Sequence, residues 1–97
     1  MNDDLRALFP ITERFVYLNH AAVSPPPTVT IEAVQSQLKD VAENGSINYR
    51  SWVATKERAR KLAADMIGAR PDQIAFVRNT SDGLSTVANG LDRKSVV

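Results

Sequence analysis

The sequence predicts a mostly helical chain with one or two short strands, and three observations carry that expectation. Apolar residues step by three and four through three stretches, from Thr28, from about Asn48 and from about Thr80, the spacing that gathers them on one side of a helix. Pro25-Pro26-Pro27 stands ahead of the first stretch, where proline suits neither a helix interior nor a central strand. Between the second and third stretches lies the apolar run Ile74-Ala75-Phe76-Val77, short and aromatic enough for a strand.

In chain order, MNDDLRALFP reads as an arm in which Leu5, Leu8 and Phe9 dock as a short helical turn that Pro10 stops. Phe15 to Ala22, FVYLNHAA, is an extended segment that runs into the stiff SPPP connector. The first long helix starts at Thr28, with Thr28 or Thr30 as its cap, and carries Ile31, Val34, Leu38 and Val41 inward until Asn44-Gly45-Ser46 ends it. The second runs from about Asn48 to Ile67, with Val53, Ala59, Leu62, Ala63, Met66 and Ile67 as its apolar stripe and Gly68 at its end. Lys56, Glu57, Arg58, Arg60 and Lys61 form its polar face, with Glu57 spaced for an ion pair with Lys61. Pro71-Asp72 turns the chain into the strand Ile74–Arg78, and a last helix opens at Asn79 to Ser81 with Leu84, Val87, Ala88 and Leu91 facing inward. Ser95-Val96-Val97 again has strand character. Residues 1–27 thus form an arm and extended segment, and residues 28–97 a helical hairpin followed by strand, turn and helix.

Composition excludes several chemistries. A chain of 97 residues is at most one domain. Twelve Lys and Arg against eleven Asp and Glu leave a net charge of +1, so no bulk positive field gathers nucleic acid or an acidic membrane. The absence of cysteine removes disulfides, thiolate metal sites and thiol catalysis from this stretch. His20 is the one histidine, too few for a histidine-rich metal site or an ordinary Ser/His/Asp triad, and no metal site is expected. No apolar run approaches the roughly 18 residues of a membrane span, and the acidic start differs from a secretory signal. The expected location is cytoplasmic.

The stretch from Ile74 to Leu91, IAFVRNTSDGLSTVANGL, carries the most chemistry. It reads as a strand, a hydroxyl-rich turn and a helix with glycine in its first turn. A helix start presents unpaired N–H groups and the positive end of the helix dipole. Thr80 and Ser81 add hydroxyls there and Gly83 leaves the approach open, which together suit a phosphate. The alternative is that Asn79, Thr80 and Ser81 simply cap the helix. Asp82 would have to turn its carboxylate away from a bound phosphate.

Two separated motifs, Tyr17-Leu18-Asn19-His20-Ala21-Ala22 before Pro25–Pro27 and Asn79-Thr80-Ser81-Asp82-Gly83 after the strand-like run, resemble the N-terminal part of a class V aminotransferase. This pyridoxal-phosphate superfamily includes cysteine desulfurases, selenocysteine lyases and isopenicillin-epimerase-like enzymes. The resemblance extends in order from Phe9 to Leu91. It implies an α/β parent protein of the pyridoxal-phosphate-dependent transferase fold type I, in which Thr80 and Ser81 hold the phosphate of pyridoxal 5'-phosphate with help from the amides of Ser81 to Gly83. It places Asn19, His20 and Ala21 on the substrate side of the cofactor, where His20 either orients a substrate carboxylate or holds the arm. Tyr49 and Arg50 fall where some relatives reach a neighbouring subunit, although an aromatic plug and a solvated arginine explain them as well, and Trp52 reads as a packing residue.

The same resemblance implies an amino-acid substrate and a homodimer. It also implies that the covalent lysine, the acidic partner of the pyridine nitrogen and the group stacked on the ring come after Val97. Lys39, Lys56 and Lys61 lie on polar helix faces and Lys94 in the tail, none in the desolvated setting that activates a lysine. Arg93-Lys94-Ser95 departs from the turn usual at that point of the family. The expectation is therefore an N-terminal fragment of an amino-acid-processing enzyme with no catalytic residue of its own. Transamination, desulfuration, elimination and epimerisation all stay open. The competing possibility is a stand-alone helical interaction module that uses the basic face Lys56 to Lys61.

Overall fold

The computed structural model describes residues 3–91, which hold four α-helices and two 3-10 turns. The chain divides into two compact units, one up to Tyr49 and one from Arg50.

In the first unit, helix α1 (Asp3–Ala7) leads to a 3-10 turn over Pro10–Glu13. Pro10 opens that turn rather than merely stopping the arm, because its fixed φ and missing N–H suit a first helical position. The Thr12 hydroxyl lies 2.8 Å from the Phe9 carbonyl and 3.2 Å from the Arg6 carbonyl, tying the turn to α1. The Leu8 carbonyl accepts the Thr28 N–H at 2.8 Å, which fixes the arm to the start of α2 (Thr28–Asn44). Neither Thr28 nor Thr30 caps α2. Pro27, extended at φ −70° and ψ 159°, occupies the cap position and its carbonyl takes the N–H groups of Thr30 and Ile31. The proline connector thus delivers the chain directly into the helix. At the other end Gly45 turns at φ +60°, and the Asp40 carboxylate accepts from the Asn44 and Asn48 side chains at 2.8 and 2.7 Å.

Helix α3 (Tyr49–Ile67) leads into the second unit. It ends at Gly68, which adopts φ +67°, with the Ala69 N–H on the Ala64 carbonyl at 2.9 Å. That bond closes a Schellman end, which needs a left-handed residue where Gly68 stands. Gly68→Val is expected to lower stability by about 1–2 kcal/mol, the cost of a left-handed residue bearing a Cβ, measured by chemical unfolding. The 3-10 turn Pro71–Gln73 follows, locked by the Gln73 side chain accepting the Arg70 N–H at 2.9 Å. Ile74 is extended, residues 74–77 belong to no helix or strand, and helix α4 (Thr80–Gly90) closes the described chain.

Three expectations are corrected. Ile74–Arg78 is not a strand, the expected extended segment Phe15–Ala22 is broken by a turn over residues 20–22, and no strand occurs among the described residues. A strand is defined by its ladder, and Ile74–Arg78 has no partner in one. Ser95-Val96-Val97 lies outside the described residues. The apolar stripes do not face inward either. Ile31, Val34, Leu38 and Val41 on α2 are exposed, as are Leu62, Met66 and Ile67 on α3 and Leu84, Val87 and Leu91 on α4. Ala64 alone is buried among the described residues. Finally, Arg60 leaves the polar face of α3. It is half-buried, Glu57 pairs with it at 3.1 Å instead of with Lys61, and its guanidinium lies 4.9 Å from the centre of the Phe76 ring.

No helix among the described residues is long and apolar enough to cross a membrane.

Candidate functional site

The start of α4 is organised by Asn79 and Asp82. Asn79 is extended, at φ −165° and ψ 175°, and its side-chain oxygen accepts the Asp82 N–H at 2.8 Å. Its backbone carbonyl takes the Gly83 N–H at 3.1 Å. In return the Asp82 carboxylate accepts the Arg78 N–H at 3.2 Å and faces the Arg78 guanidinium at 3.4 Å. This reciprocal bonding works as a capping box does, with the carboxylate reaching one residue further back. Of the three cap-type residues, Asn79 does the capping.

That choice leaves Thr80 and Ser81 in the first turn of the helix, both exposed, with no hydrogen bond at either hydroxyl among the described residues. The N–H groups at these two positions belong to the set that a helix start leaves without intrahelical partners. Two hydroxyls and two amides are therefore available in the first turn, at the positive end of α4. The Asp82 charge is engaged by Arg78, as a neighbouring anion site requires. A Cβ at Gly83 would lie 3.4 Å from Val77 Cγ2, an ordinary van der Waals distance. Asn79→Ala is expected to cost about 1 kcal/mol of stability, the usual value of a lost helix cap, measured by thermal unfolding.

The second group of expected residues lies in the first unit. The Asn19 carbonyl accepts the N–H groups of Ala22 and Val23 at 3.3 and 3.4 Å, forming a tight turn. The Tyr17 hydroxyl donates to the Val23 carbonyl at 2.6 Å and braces that turn from outside. His20 packs edge-on against Tyr17, with ring centres 5.2 Å apart, and its Nδ1 lies 3.2 Å from the Ser24 hydroxyl. It lines an apolar cleft of about 260 Å³ with Leu5, Phe9, Ile11 and Pro25. Asn19 and Ala21 are exposed in the same turn. The structure thus brings Asn19, His20 and Ala21 together, and separately Thr80 and Ser81, each set within its own unit.

Tyr49 and Arg50 are exposed, so Tyr49 is no buried plug, and Trp52 is half-buried as a packing residue would be. Sequence reasoning missed Arg60. Its charge marks it as polar, and only its place one turn before Ala64 hints that its aliphatic stem is covered.

Comparison with known proteins adds a family. The model of the class V aminotransferase family matches residues 16–97. A probable cysteine desulfurase from Pyrococcus abyssi is 36% identical over 94 residues, covering 93% of this chain and 23% of that protein. A cysteine desulfurase from Cronobacter sakazakii is 38% identical, with 88% and 24% covered. A selenocysteine lyase from Xenopus tropicalis is 35% identical, with 78% and 17% covered. The chain thus spans about a quarter of the length, or less, of these curated relatives. No solved structure matches it.

Proposed function

The chain belongs to the class V aminotransferase family, and from that premise we propose that it supplies the phosphate-binding part of a pyridoxal-phosphate-dependent enzyme acting on amino acids. The observation that carries this reading is the start of α4, where Thr80 and Ser81 keep their hydroxyls unspent because Asn79 caps the helix. The residues present fit the phosphate end of pyridoxal 5'-phosphate. Thr80 and Ser81 offer hydroxyl and backbone N–H donors at a helix N-terminus, and Arg78 holds the Asp82 carboxylate.

When bound, the cofactor supplies an electron sink for the bonds at the amino acid's Cα. The residues of this chain bind and orient. Thr80 and Ser81 anchor the phosphate, and Asn79 fixes the direction in which their amides point. Asn19, His20 and Ala21 form the substrate-side turn, with the His20 ring held by Tyr17 and Ser24. Lys39, Lys56 and Lys61 are exposed on helix faces, unlike a lysine activated by desolvation, so the covalent chemistry is assigned to other residues of a longer, cytoplasmic, homodimeric enzyme. The exposed apolar faces of α2 and α4 support that assignment, since such faces are normally covered. The names of the relatives support an amino-acid substrate and leave its identity open.

The experiment is an amide-resolved titration of the chain with pyridoxal 5'-phosphate and, separately, with pyridoxal. The reading expects shifts at Thr80 to Gly83 that appear only with the phosphate ester. Equal responses to both compounds, or shifts spread along the chain, would remove the phosphate role.

A further inference from the structure

Residues 74–77 lead into the candidate phosphate turn and belong to no sheet among the described residues, so their contacts with α3 bear on where the turn stands. Among the described residues of the second unit, one side chain joins α3 to that run by several contacts. Arg60 on α3 donates from Nη1 to the Ile74 carbonyl, lays its guanidinium over the Phe76 ring at 4.9 Å, and is held from below by Glu57 at 3.1 Å. Beyond that clamp the chain runs through Val77, whose Cγ2 faces the side of Gly83 that has no side chain, to Arg78, whose N–H meets Asp82. Arg60 thus ties α3 to Ile74 and Phe76, the latter three residues before Asn79, where the turn that opens α4 begins.

We propose that Arg60 is a positioning residue for the turn Asn79 to Gly83, setting the place of the Thr80 and Ser81 donors by clamping residues 74–77 to α3. The proposal rests on the phosphate reading for its functional meaning, but its geometry does not. Arginine suits the task where lysine does not, because one guanidinium can donate to the Ile74 carbonyl and lie over the Phe76 ring at the same time. The Arg60 side chain is 22% exposed, dry enough for both contacts to act and for the stem to pack.

The test uses the full chain and the variants Arg60→Met, Arg60→Lys and Phe76→Leu, with helix content followed by circular dichroism. Hydrogen exchange at the Asp82 and Gly83 amides, both bonded to Asn79, reads the order of the turn without any ligand. Arg60→Met is expected to speed it on the order of tenfold relative to amides in the middle of α3, and Arg60→Lys by less, since it keeps charge but loses the fork. Unchanged exchange at Asp82 and Gly83, uniform acceleration along α3 and α4, or full rescue by lysine would each overturn the proposal. If Arg60→Met does not fold, Phe76→Leu carries the same comparison. The affinity for pyridoxal 5'-phosphate should fall in step with the loss of order. Faster exchange with no phosphate-dependent shift even in the unaltered chain would keep Arg60 as the clamp and reject the phosphate reading. The reverse pattern, phosphate-dependent shifts with exchange that Arg60→Met leaves alone, would keep the phosphate reading and reject the clamp.

Discussion

Changing Thr80 and Ser81 together to alanine should weaken binding of pyridoxal 5'-phosphate by about 100-fold or more, while leaving the fold intact. The size follows from the bonds removed. A hydrogen bond to a charged group contributes about 1.5–3 kcal/mol, so two hydroxyls amount to some 3 kcal/mol or more, and each 1.4 kcal/mol is about tenfold in affinity. The fold should survive because neither hydroxyl takes a protein partner among the described residues and Asn79 keeps the cap. Alanine is also the better helix former at both positions. Binding followed by cofactor absorbance, with pyridoxal as the control, separates the outcomes. Unchanged affinity for the phosphate ester means that the hydroxyls do not hold it. An equal loss for both compounds means that the substitutions act somewhere other than at the phosphate.

The extent to which these features can be read from sequence depends on whether they are local. Helices α2, α3 and α4 follow from apolar periodicity, and their ends at Gly45 and Gly68 from the need for positive φ. Which residue caps is less legible. Asn79, Thr80 and Ser81 are all good cap types, and the choice falls on the one whose backbone is extended, a property of the chain entering the helix. At α2 the same rule selects Pro27 over either threonine, although proline brings no capping side chain. The hydroxyl pair at the candidate site was legible as a motif, but that the pair is unspent follows only from the cap at Asn79. Strand character at Ile74–Arg78 was a matter of composition, whereas a ladder needs a second segment that no local pattern supplies. Arg60 was hidden for the opposite reason. Its charge suggests solvent, and the carbonyl and ring that draw it inward lie 14 and 16 residues further along the sequence, at Ile74 and Phe76.

Ala64→Leu is expected to destabilise the chain by about 2 kcal/mol, within the range for overpacking a filled site. Ala64 is the one position among the described residues with no exposed surface. It stands one turn after Arg60 on the same face of α3, so a larger side chain grows along the surface where Arg60 lies over Phe76 and bonds Ile74. It cannot be accommodated by fraying the helix end without loss, because the Ala64 carbonyl accepts the bond from Ala69 that closes the helix at Gly68. Leu62→Ala makes the contrast. Leu62 is 61% exposed, and its truncation should cost no more than about 0.5 kcal/mol, as for most surface substitutions. Ordinary hydrophobic reasoning ranks these two the other way, since it counts the leucine lost and ignores the alanine enlarged. Urea unfolding midpoints at unchanged slope decide the ranking. A larger loss for Leu62→Ala would mean that the apolar stripe of α3 is covered in the chain after all, and that the contact face of this helix does not run through Arg60 and Ala64.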